Sequence, residues 1–112
     1  MSLRIPQSLA TGHHSETGWN VLDFEIAQQK AQTLGFLGTQ VEHALASLRA
    51  LDAREYRPER EADRSAMLDE AAERVWVFMI QRELCGLGYW ETVVKEYGIP
   101  REVLNRLGRA RR

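Results

Sequence analysis

Cysteine, proline and histidine are scarce in this chain of 112 residues, which holds one Cys, three Pro and three His. A single cysteine, Cys85, excludes an intramolecular disulfide framework and any multi-cysteine metal site. The longest unbroken apolar run, Val75 to Ile80, has six residues and cannot span a bilayer, so no membrane is expected as a partner. No apolar stretch follows the first residues in the manner of a secretory signal, and a cytoplasmic protein is the expectation. The glycines at 35, 38, 86 and 88 lack the spacing and the following lysine of a phosphate loop. There is no His-Glu-x-x-His and no Glu-x-x-His, and His13 and His14 would point to opposite sides of an extended chain beside Glu16. No metal site is therefore expected. The formal net charge of -1 rules out a disordered acidic tail and a uniformly basic nucleic-acid coat.

A catalytic constellation is missing too. Nucleophilic catalysis needs a base within hydrogen-bond reach of the nucleophile, and the only thiol falls in the buried register of a helix. A free cysteine there behaves as a small hydrophobe. The expectation is a protein that is not an enzyme, with no catalytic residue, cofactor or metal.

What the chain does have is an uneven charge. Residues 1–100 carry ten Lys or Arg against fifteen Asp or Glu, a net of -5. Residues 101–112 carry five Arg against Glu102, a net of +4.

It also has helical periodicity. Residues 1–19 show no period and read as a mobile arm, with Asn20 as the N-cap of the first helix. From there an apolar stripe runs Phe24, Ala27, Ala31, Leu34, Gly38, Val41, Leu45, Leu48 in alternating steps of three and four. The phase survives Gly35 and Gly38, which favours one long helix with a kink or a close helix approach there; two shorter helices are the alternative. Residues 52–65 hold nine charges in fourteen positions together with Pro58 and read as a solvated linker. Ser65 is the expected N-cap of a central helix carrying Leu68, Ala71, Ala72, Val75, Phe78 and Met79, apolar nearly all round at mid-length. Trp76, Phe78 and Met79 read as core, and Trp19, Tyr89 and Trp90 as residues flanking helix ends. A short helix over about 89–97 ends at Gly98, and Pro100 opens a last one over about 101–107.

The fold class that results is all-α: a long helical hairpin followed by two short helices. It comprises one domain over 20–108, between the arm and a basic tail at 109–112. The short pair can cover one side of the central helix through Val93, Val94, Val103, Leu104 and Leu107. Leu22, Ile26, Phe36 and Ala44 still point off the main stripe, so a homodimer in which these faces meet is expected. The function expected is a protein-interaction or oligomerisation module.

The alternative is a small DNA-binding regulator. Segment 93–107 resembles a helix-turn-helix, with Val94, Gly98, Ile99, Leu104 and Leu107 at the positions that such a corner packs. Its second helix would present Arg101, Glu102, Asn105 and Arg106 outward, with Arg109, Arg111 and Arg112 beyond. Arginine suits guanine edges or phosphates, asparagine suits adenine, and the local +4 would attract the backbone. Against it stand the bulk of Val94, the shortness of the last helix, Glu102 and the acidic body. The same residues could equally dock on another protein.

The stretches NVLDFEIAQQKAQTLG and WVFMIQRELCGLGYWETVVKEYGIPREVLNRLG carry a resemblance to a known family. They resemble small helical proteins of α-proteobacteria grouped as a domain of unknown function. The helix end Gln81-Arg82-Glu83-Leu84-Cys85-Gly86 and the corner Tyr97-Gly98-Ile99-Pro100 are the most recognisable pieces. The resemblance implies a bacterial all-α protein and transfers no activity, cofactor or site.

Overall fold

Spacings of three and four along most of the chain leave helix as the one backbone state that gathers the apolar residues on one side. A computed structural model describes the backbone of residues 13–109 and the side chains of residues 20–109. The described residues form α1 (His13–Asp52), a 3-10 turn (Pro58–Arg60), α2 (Glu61–Leu84), α3 (Trp90–Tyr97) and α4 (Arg101–Leu104), with no strand among them.

Helix α1 starts earlier than its expected cap. Residues 13–19, read as part of the arm, are helical, and Asn20 lies inside the helix. Gly18 in a helix interior costs only about 1 kcal/mol relative to Ala, too little to stop propagation. Residues 1–12 of the arm, and 110–112 of the basic tail, lie outside the described residues. The helix then continues unbroken for 40 residues through both Gly35 and Gly38.

Packing divides the chain after Thr33. Up to that point, every residue from Asn20 to Thr33 is exposed. From Leu34 onward, one buried cluster joins Val41, Leu45 and Leu48 of α1 to Leu68, Ala71, Ala72, Val75, Phe78 and Met79 of α2. Val93, Ile99 and Val103 complete it, and Val94, Leu104 and Leu107 pack against it from the short helices. Burying a side chain such as Leu45 or Met79 contributes about 1.5–3 kcal/mol. The stripe read from the sequence is thus core only from Leu34 on. Ala44, expected on a subunit face, packs against the core instead.

Gly38 explains why that core can close. A Cβ placed there would lie 2.7 Å from Tyr97 Oη and 3.5 Å from the Phe78 ring. The tyrosine therefore seats its hydroxyl against bare backbone, with its ring edge-on to Phe78 at 5.3 Å between centroids.

Helix α2 begins at Glu61, not after Ser65. Pro58, with its fixed φ, opens the 3-10 turn that feeds directly into it, and Glu61 and Asp63 occupy the first turn, where the helix dipole favours acids. At the other end Cys85 is the C-cap and half-buried, so it does not share the buried register expected for it. The helix stops at Leu84, and the Leu87 N–H turns back to donate to the Arg82 carbonyl at 2.8 Å. Trp90 Nε1 donates to Glu83 Oε2 at 2.6 Å and ties α3 to that end.

The corner after α3 follows from two residues. Gly98 takes the left-handed conformation (φ 64°), with its N–H directed to the Lys95 carbonyl and that of Ile99 to the Val94 carbonyl. These are the two bonds of a Schellman ending, which favours glycine at this place. Pro100 is extended at the N-cap of α4. That helix keeps α-form only to Leu104, shorter than the expected 101–107. Arg106 and Leu107 then bond three residues back, in tighter turns that end near Gly108.

Candidate functional site

Two surfaces compete for attention: the basic corner that the charge pattern singles out, and the exposed half of α1.

In the corner, the expected outward row is only partly present. Arg101, Asn105 and Arg109 are exposed, while Arg111 and Arg112 lie outside the described residues. Arg106 does not point outward. Its Nη1 donates to the Ser65 carbonyl and Oγ, both at 2.9 Å, and to Asp69 Oδ1 at 3.1 Å. The reason is local: the turns after Leu104 rotate Arg106 toward α2, where a carbonyl, a hydroxyl and a carboxylate converge. Glu102 is engaged as well. Arg64 donates to both of its oxygens at 2.8 and 2.9 Å and, on its other side, to both oxygens of Asp52 at 2.7 and 3.1 Å. One guanidinium thereby joins the end of α1, the first turns of α2 and the start of α4. These hydrogen bonds hold the Asp52 and Glu102 carboxyls below their ordinary values and raise Arg64 further above its own.

The linker reading of 52–65 therefore missed a structural residue. Nine charges in a row of fourteen look solvated, and nothing local marks Arg64 out, because one of its partners is 38 positions away.

Among the described residues no group of three or more His, Cys, Asp or Glu side chains could hold a metal ion. The side chains of His13, His14 and Glu16 are outside the described residues, and His43 is exposed on α1. The Cys85 thiol accepts from Gln81 Nε2 at 3.9 Å. Trp76 borders the terminal turn, where a Cβ on Gly108 would lie 3.5 Å from its ring. Among the described residues no helix is long and apolar enough to cross a membrane.

The second surface is the first described stretch of α1. Phe24 is 67% exposed, Val21 53%, Leu22 46% and Ile26 43%, and Ala27 and Ala31 are exposed beside them. Leu22 and Ile26 were expected on a face that meets a second copy; Phe24, Ala27 and Ala31 were expected to be core. Phe36, further along, is also exposed.

No curated protein and no solved structure matches the chain. A family does match, over residues 1–112, and on that match the chain belongs to DUF6665, a family of unknown function.

Proposed function

We propose that this chain is a non-enzymatic self-association module. In this reading α1 and α2 pair as an antiparallel helical hairpin, and two copies meet through the first half of α1. The observation that carries it is the run from Asn20 to Thr33, exposed throughout although Phe24, Ala27 and Ala31 continue there the stripe that forms core from Leu34 onward. Most helical stability comes from packing an apolar face, and no described residue buries this one. An apolar stripe left exposed in this way is what an interaction site presents. The single cysteine fits a reducing, cytoplasmic setting.

Sedimentation equilibrium over the micromolar range tests the reading. A mass above that of the 12.9 kDa chain, reduced to it by Phe24→Glu, is the expected result. A single 12.9 kDa species at every concentration would overturn it.

The DNA-binding alternative is weaker, because Arg106, one of its expected contacts, is engaged inside the molecule. Its remaining described contacts are Arg101, Asn105 and Arg109. Anisotropy titration of duplex DNA at low salt, with Arg101→Glu and Arg109→Glu as controls, decides it: salt-sensitive binding lost in the variants would favour the regulator.

A further inference from the structure

The exposed stretch of α1 also carries the geometry of its own pairing. At 100° per residue, Phe24, Ala27 and Ala31 fall on one stripe. Asp23 and Lys30 lie together along one flank of that stripe, and the matching position on the opposite flank holds Val21 and Gln28, with no charge. All of these residues are exposed.

We infer that a second copy of this chain covers the stripe as an antiparallel helix, related by a two-fold axis passing between Ile26 and Ala27. This inference rests on the self-association reading and names its register.

Two features select that arrangement. In an antiparallel two-fold pair each flank meets its own counterpart, and an axis at that point brings Asp23 of each copy opposite Lys30 of the other. Two ion pairs form on one side of the pair. Within one helix the same two residues are seven apart, about 10 Å along the axis, and do not reach each other. A parallel pair would instead set the charged flank against the uncharged one and leave both charges unmatched. The axis also places Phe24 between Ala27 and Ala31 of the opposing helix. The small side chains form the hole and the aromatic ring the knob, so the backbones approach closely where the ring fills the gap.

Charge reversal tests the register, with oligomer mass read by sedimentation equilibrium at low salt. Asp23→Lys creates two Lys–Lys contacts and Lys30→Asp two Asp–Asp contacts. Each is expected to weaken dimerisation about ten-fold or more. Asp23→Lys combined with Lys30→Asp restores the pairs and returns the dissociation constant to near the wild-type value. Mixing the two single variants gives the most direct reading, since the heterodimer has two matched ion pairs and each homodimer has two repulsions. Ala27→Leu, which fills the hole for Phe24, also weakens the dimer. All four residues are exposed, so the variants keep the wild-type helical circular dichroism. If the wild type dimerises while neither the double variant nor the mixture recovers association, the antiparallel register is overturned and the self-association reading stands. If the wild type never dimerises, both fall together.

Discussion

Gly35 and Gly38 sit three residues apart in α1 and face opposite surroundings. Nothing lies within 4 Å of a Cβ built at Gly35, so Gly35→Ala should stabilise the fold by about 1 kcal/mol through helix propensity alone. The same change at Gly38 brings a methyl to 2.7 Å from Tyr97 Oη, and the tyrosine ring is held edge-on by Phe78. Gly38→Ala is therefore expected to be neutral or destabilising in the wild type. It becomes stabilising once Tyr97→Phe has removed the hydroxyl. A double-mutant cycle by urea unfolding measures this coupling. Purely additive effects would show that the hydroxyl does not set the glycine. The stripe register identified Gly38 as a position of close approach, but what approaches, a tyrosine 59 positions later in the chain, has no local trace.

At the scale of elements, the corner between α3 and α4 was the most legible part of the chain, because Gly98, Ile99 and Pro100 each restrict their own backbone. Helix starts were less legible. Asn20 and Ser65 are good capping residue types, yet both lie inside helices; for α2, Pro58 and an acidic first turn begin the helix upstream of Ser65. The end of α4 was misjudged for a related reason: apolar spacing at Leu104 and Leu107 is met as well by 3-10 turns as by α-helix. Those turns are what carry Arg106 to Ser65 and Asp69. Arg106→Ala should consequently destabilise the protein by about 1–2 kcal/mol, mostly by stripping the Ser65 carbonyl and hydroxyl of a charged donor. Arg101→Ala and Asn105→Ala should change stability by no more than about 0.5 kcal/mol. Thermal or urea unfolding of the three variants separates them. Equal, small effects at all three would mean that Arg106 is as free as its neighbours.

Over the whole molecule, the division into a -5 body and a +4 end is less complete than the composition suggests, because charges from the two parts pair with each other. Arg106 of the basic end reaches Asp69, and Arg64 of the acidic body holds Glu102 together with Asp52. The cluster around Arg64 gives the fold an acid-sensitive joint. Both carboxyls have folded-state values below their ordinary 3.8 and 4.5, through hydrogen bonds from the guanidinium. A depressed carboxyl contributes stability that is fully present above its unfolded value and is lost as pH falls through the folded one. Wild-type stability should thus be level above about pH 5.5 and decline toward about pH 3. Both carboxylates are largely exposed, so each pair contributes less than about 1 kcal/mol, and added salt reduces the effect. Arg64→Met removes the donor and should flatten this part of the profile while lowering stability at neutral pH. Arg64→Lys, a point charge without the planar fork, cannot serve both carboxylates in the same bidentate way and should fall between the two. Urea unfolding of the three proteins at intervals across that range gives the slopes directly. An Arg64→Met profile as steep as that of the wild type would place the acid sensitivity in other carboxyls and reduce the Arg64 cluster to a surface contact.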